Sequence, residues 1–311
     1  RSSAASDVYK RQTLNMYKWG LDSSYGLTGM AEGEFAVQDL TWEIVNKMNL
    51  GVELGFLNGM IDLQLDYFDE RRKDIFMPRE SVPMTAGFMK QPWKNFGKVT
   101  NQGVEVSLNV NKQFGKDLFV SLMGTFTYAH NEITEKDEPS AVVGTNRAET
   151  GHPVGQLTGY IAEGLFTEDD FEDVSTGKLK EGIPTQSFVS KLRPGDIRYR
   201  DVNGDGKVDV FDKSPIGGTK DPEIVYGFGL NMKYKDLDFG ALFQGIGRSW
   251  NILGSSIIPG ANRGVTGNMF TNANDRWTVD NPSQNVFYPR LDDGINSNNN
   301  QPSTWLSLIH I

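Results

Sequence analysis

Along several stretches of this chain, apolar and polar residues alternate one for one, the period of a β-strand with one face kept from water. In NLGVELGFLNG, Leu50, Val52, Leu54 and Phe56 fall on one side, and Gly51, Glu53 and Gly55 on the other. The pair Asn58 and Gly59 is a turn signal. After it MIDLQLDYF resumes the alternation, with Ile61, Leu63, Leu65 and Tyr67 set against Asp62, Gln64 and Asp66. The two runs predict a hairpin. GVEVSLNVN (Val104, Val106, Leu108, Val110) turns at Gly115, Lys116 and Asp117 into LFVSLMGTFTY. YGFGLNMKY (Tyr226, Phe228, Leu230, Met232) turns at Lys235 and Asp236 into LDFGALFQG (Leu237, Phe239, Ala241, Phe243). Six strands in three antiparallel pairs are expected, in an all-β chain with almost no helical periodicity.

The connections differ in length by side. Turns within a pair are short, whereas between pairs the chain runs through Pro, Gly, Asn and Asp over about 71–99, 131–222 and from 247 onward. Short turns alternating with long loops is the pattern of an antiparallel transmembrane β-barrel, with short periplasmic turns and long extracellular loops. Strand parity then makes 131–222 one long extracellular excursion. Trp42, Phe56, Tyr67, Phe68, Phe126, Tyr128, Tyr226 and Tyr234 sit near strand ends, as an interfacial girdle requires. The same alternation suits a secreted β-sandwich, such as a calcium-stabilised carbohydrate-binding or adhesion module with aromatics in its core. Pattern alone leaves both open.

Composition narrows the function more than the fold. A net charge of −9 and a pI near 5.0, with no block of Lys or Arg, argue against nucleic acid as a partner. The absence of cysteine removes disulfide scaffolds, Cys-ligated metals and thiol catalysis. No apolar run is long enough for a transmembrane helix. The opening RSSAASDVYKRQ (1–12) and the closing LSLIHI (306–311) resemble translated sequencing-adapter sequence, so 13–305 is expected to be the native, partial barrel domain of a longer protein.

The stretch DVNGDGKVDVFD has oxygen ligands spaced for calcium: Asp201, Asn203 and Asp205 at positions 1, 3 and 5, then Gly206 at the sharp turn. Lys207 offers its carbonyl at position 7, with Asp209 at 9 and Asp212 at 12. The last is Asp rather than Glu, and Pro194 and Pro215 flank the loop where a sensor has helices. That combination predicts a structural ion clip instead of a sensor. Clustered carboxylates in TEDDFEDV (Thr167 to Val174) read as a solvated acidic face, and no G-x-S-x-G elbow exists. No enzyme is expected. Glu53, Asp62, Asp66 and Glu105 share the polar strand face and would point into a barrel lumen, while Trp93, Phe96 and Trp250 in the long connections are candidates for stacking on sugar rings.

Seven phrases in order resemble the SusC/RagA-like TonB-dependent transporters of the Bacteroidetes outer membrane. They are DLTWE, NLGVELGFLNGMIDLQLDYFDERRKDIF, TNQGVEVSLN, GHPVGQLTGYIAEGLF, RPGDIRYRDVNGDGKVD, SPIGGTKDPEIVYGFGLNMKYKDLDFGALFQGIG and DRWTVDNPSQNVFYPRL, together running from about residue 39 to 305. Arg248 departs from the pattern, standing where such proteins often carry a second glycine after GIG. The resemblance implies part of a TonB-dependent barrel of about 22 strands, with the plug and the TonB-contacting segment outside this chain. It also implies import of a glycan or peptide fragment, a SusD-like surface lipoprotein as lid, and energy from TonB.

Overall fold

The computed structural model describes residues 14–19, 27–32, 37, 39–86, 90–252, 271–291 and 298–310; the adapter-like opening lies outside them. A first hairpin pairs β1 (Leu14–Trp19) with β2 (Leu27–Glu32). A meander follows: β3 (Ile44–Phe56), β4 (Ile61–Pro78), β5 (Trp93–Phe114) and β6 (Leu118–Glu135). Short strands come next: β7 (Thr158–Gly159), β8 (Ala162–Leu165), β9 (Phe171–Asp173), β10 (Lys178–Leu179), β11 (Thr185–Gln186), β12 (Ile197–Tyr199), β13 (Lys207–Val208) and β14 (Ser214–Pro215). The hairpin β15 (Ile224–Tyr234) and β16 (Leu237–Gly247) precedes β17 (Ser249–Ile252) and β18 (Ser307–His310).

The six long strands make one antiparallel sheet in the order β16-β15-β6-β5-β4-β3, the three hairpins expected from the alternation. Leu57, Asn58 and Gly59 all take positive φ in the first turn, the backbone that the Asn–Gly signal favours. The strands run further than the pattern predicts. Residues expected as loop remain paired, Arg71 with Thr100, Ile75 with Gly97 and Pro78 with Trp93, and β6 continues to Glu135. Two bulges, between Arg72 and Ile75 and between Ile75 and Phe76, shift the faces there. A period-2 pattern cannot survive such a shift, so the sequence hid these ends. The excursion between β6 and β15 accordingly begins at 136 and ends at 223.

The described residues fall into two compact units, one of residues up to Val154 plus Ile224–Gly245, the other of Gly155–Glu223 plus Ile246 onward. The first holds the sheet. Its apolar side chains are not covered by a second sheet: Leu50 is 66% exposed, Phe228 52% and Phe239 56%. A sandwich would bury them, so that reading gives way.

The second unit packs a core of its own. Tyr160, Leu165, Ile197, Tyr199, Val208 and Trp277 form one cluster, and Phe166, Phe171 and Leu192 another. Its two chain segments are interlocked. Tyr160 N–H donates to the Pro302 carbonyl (2.8 Å), Thr304 N–H returns to the Tyr160 carbonyl (3.0 Å), and the Gln284 amide brackets Leu165 at 2.7 and 3.0 Å. At the centre, the fully buried Asp196 carboxylate accepts from Arg290 Nε (3.1 Å) and Nη2 (3.0 Å), Asn299 Nδ2 (3.1 Å) and Arg193 N–H (2.9 Å). A buried charge tolerates burial only with such a complete set of partners. The closing stretch expected to be foreign joins this unit: Leu306 is buried beside Tyr288, and Ser307–His310 pairs with Ser249–Ile252.

Candidate functional site

Register across the sheet sorts every side chain to a face. On one face lie Glu53 opposite Gln64, Gln64 opposite Ser107, Asp62 opposite Asn109 and Asp66 opposite Glu105. Glu53, Asp62, Gln64, Ser107 and Asn109 line a polar recess of about 440 Å³. Like charges placed opposite each other across a strand pair repel. Here the Asp66 carboxylate takes a hydrogen bond from Gln64 Nε2 (3.0 Å), and none of the four acids forms an ion pair among the described residues. This face is open, polar and negative.

The other face is apolar in continuous rows: Tyr67, Val104 and Tyr128; Leu65, Val106, Phe126 and Tyr226; Leu63, Leu108 and Phe228; Phe114, Leu118 and Tyr234. Phe228 and Phe243 stack at 5.0 Å. Aromatic residues mark both ends of the band. β15, whose 11 residues span the rows, gives roughly 34 Å of strand, standing about 25 Å tall at the tilt usual in barrels, the height of a bilayer-facing band. Beyond Tyr67 and Tyr128 the same face turns polar, with Asp69, Arg71, Gln102 and His130. Phe68 leaves the expected girdle. Its ring lies on the polar face over Gly103, where a Cβ would come within 2.4 Å of it.

The calcium-spaced loop sits in the second unit and is closed by its own hydrogen bonds. Asp201 accepts from Gly204 and Gly206 N–H (both 2.7 Å), Asn203 from Asp205 N–H (2.9 Å) and Asp205 from Lys207 N–H (2.9 Å). Asp209 caps the following turn through Phe211 N–H (2.9 Å) and meets Lys207 Nζ (3.2 Å). Asp212 is fully buried and gathers the N–H groups of Val202, Asn203 and Asp209 at 2.8, 3.3 and 2.8 Å. In this arrangement no three carboxylates or imidazoles among the described residues converge as a metal site does. The loop is seated on the core: burial, and then the charges of Asp212 and Asp209, push the Tyr160 hydroxyl up to about 12.

The three candidate aromatics are not brought together. Trp93 stacks on Phe76 at 5.1 Å with nearly half its surface open, and Phe96 lies under the Arg79 guanidinium at 5.5 Å. Trp250 packs its ring on the backbone of Gly217 and Gly218, and its backbone N–H donates to the Thr219 carbonyl (2.9 Å). Of the three, only Trp93 and Phe96 belong to the unit that holds the sheet. Sequence reasoning missed a charged latch nearby. Asp137 accepts from Arg79 Nε (2.8 Å), Ser81 N–H (3.2 Å) and Ser81 Oγ (2.8 Å), tying the β4–β5 connection to the stretch after β6. Burial pushes the Asp137 carboxyl up, but the bonds from Arg79 and Ser81 outweigh it and hold its pKa below the ordinary value.

A two-faced antiparallel sheet with a bilayer-high apolar band is a general barrel feature, so membership rests on sequence. The family model described as "TonB dependent receptor-like, beta-barrel" matches residues 4–280. The chain belongs to that TonB-dependent receptor family.

This receptor segment is 27% identical over 270 residues to TonB-dependent receptor P26 of Formosa agariphila, which covers 83% of the segment and 26% of that protein. It is 28% identical over 207 residues to TonB-dependent receptor SusC of Bacteroides thetaiotaomicron, 65% of the segment and 19% of that protein. It therefore spans about a quarter or less of these curated relatives. The solved structure of the RagAB peptide transporter shares its fold, with a TM-score of 0.64 at 21% identity over 96% of the segment and 30% of that chain. The sheet is thus a stretch of outer-membrane barrel wall of a TonB-dependent receptor, its edge strands β3 and β16 left unpaired within the described residues. The relatives it matches are receptors. Arg248, standing where the resemblance expects a second glycine, holds φ at 51°, a backbone region glycine adopts most freely, and bonds Glu223 at 3.1 Å.

Proposed function

We propose that the full-length receptor imports a bulky nutrient, an oligosaccharide or other glycan fragment, across the outer membrane. The observation carrying this reading is the inner face of the sheet: a broad polar, acidic wall with a shallow recess and no covalent machinery, suited to passing hydrated solutes. The sequence resemblance to SusC/RagA-like transporters supports a glycan and a SusD-like lipoprotein lid; likeness to the RagAB peptide transporter supports a peptide as the second reading. TonB supplies the energy. Residues 136–223 form an extracellular excursion, and of the three candidate aromatics Trp93, 47% exposed, is the one most open to a sugar ring. Deleting the full-length gene should abolish growth on one complex glycan, with growth on its monosaccharide unchanged. Loss of growth on a peptide mixture instead would favour the second reading, and no nutrient phenotype would overturn import.

For the loop 201–212 we propose calcium as a second fastening. The spacing of Asp201, Asn203, Asp205, Lys207, Asp209 and Asp212 supports it, as does the lone pair left on the Asp201 oxygens, each of which accepts a single N–H. Affinity on the order of 10⁻⁴ to 10⁻³ M suffices outside the cell. Millimolar calcium should slow proteolysis of 193–217 in the receptor, and Asp201→Ala with Asp205→Ala should abolish the effect. Equal cleavage with calcium and with chelator would remove calcium and leave the hydrogen-bonded clip.

A further inference from the structure

The short-turn end of the sheet carries cations that the rest of the molecule leaves unused. Phe114, Leu118 and Tyr234 form the last row of the apolar face, in register across β5, β6 and β15. Lys112, on the same face one row inward, swings its ammonium to 5.9 Å from the Phe114 ring centroid. Lys235, in the β15–β16 turn at φ 51°, sets its ammonium 5.4 Å from the Tyr234 ring. Lys116 lies in the β5–β6 turn between them in register, the outer two strands standing about 10 Å apart. Neither ring-held ammonium forms an ion pair or donates a hydrogen bond among the described residues. At the other end of the strands four basic side chains meet acids: Arg71 meets Asp69 (3.0 Å), Arg72 meets Glu43 (3.1 Å), Lys47 meets Glu70 and Lys98 meets Glu135.

We propose that Lys112 and Lys235 form a binding rim for the phosphate groups of phospholipids in the periplasmic leaflet. Three observations converge. The rim continues the lipid-facing band, so its neighbours are acyl chains and headgroups. A lysine stem lying along an apolar row keeps its charged head at the interface, the level of the phosphates. Each ring fixes its ammonium by cation–π attraction while leaving N–H donors for phosphate oxygens.

The test uses the full-length receptor reconstituted with spin-labelled phosphatidylglycerol, with spin-labelled diacylglycerol as the phosphate-free comparison. A lysine near an anionic surface is worth about fivefold in affinity. The double variant Lys112→Gln, Lys235→Gln should lose about twenty-five-fold in preference for the phosphatidylglycerol, each single variant about fivefold, and the Lys→Arg pair almost nothing. High salt should erode the preference of the wild type alone. Should the double variant fail to insert, the single variants carry the test. Equal retention of both lipids by the wild type, or equal preference in wild type and Gln variants, would overturn the proposal.

Discussion

The sheet and the second unit are built from the same twenty residue types in opposite ways. Among the described residues, the fully buried apolar side chains lie almost entirely in the second unit, with Ile133 the exception in the first. The sheet instead exposes Leu50, Phe228, Phe239 and their neighbours in rows. In water such a surface would drive aggregation; in a bilayer it is the solvent-facing side. The second unit follows the rules of a water-soluble domain, with an apolar cluster, a buried Asp–Arg pair and a self-bonded loop. One chain thus carries two solvents' worth of design.

Substitutions separate the two. The largest effect is expected at Arg290. Replacing it with Met strands the buried Asp196 charge and should cost the second unit about 3–5 kcal/mol. Protease should then cut 155–223 rapidly while the barrel still migrates as a folded, heat-modifiable band. Next comes the sheet. Leu108→Arg, in the middle of the apolar band, should cost about 2–4 kcal/mol and deplete the receptor from the outer membrane. Ser107→Arg, its neighbour on the polar face, should stay within about 0.5 kcal/mol of the parent. Equal losses at 107 and 108 would erase the two-faced wall.

The smallest effect is the Asp137 latch. Its folded pKa is lowered from 3.8, so the stability it contributes is fully present above that value and is lost as pH falls through the lower, folded one. Hydrogen exchange at the Ser81 amide should therefore be flat from neutral pH down to about 4 once corrected for intrinsic rate, and should quicken only below. Asp137→Asn should remove the acid-induced step.

Much of the sheet was legible because period-2 alternation is a direct readout of a two-sided solvent. Leu50 to Phe56 and Val104 to Val110 announce both the strand and its outer face. The paired ends 71–78 and 93–99 were hidden by bulges that break the period. The second unit was hidden for another reason. Gln284 reaching Leu165, and Arg290 reaching Asp196, join residues far apart in the chain, and no local pattern encodes such contacts. In the loop 201–212 the spacing of acids was legible, whereas the backbone N–H groups that bond Asp201 and Asp212 were not, because turn hydrogen bonds depend on backbone angles that side-chain spacing does not state.

The two-faced wall is tested most directly by single-cysteine scanning of Val104 to Val110 in the membrane-embedded, full-length receptor, since this segment has no cysteine of its own. A water-soluble maleimide should label positions 105, 107 and 109 through the lumen and spare 104, 106, 108 and 110. Labelling without that alternation would contradict a lipid-facing apolar face.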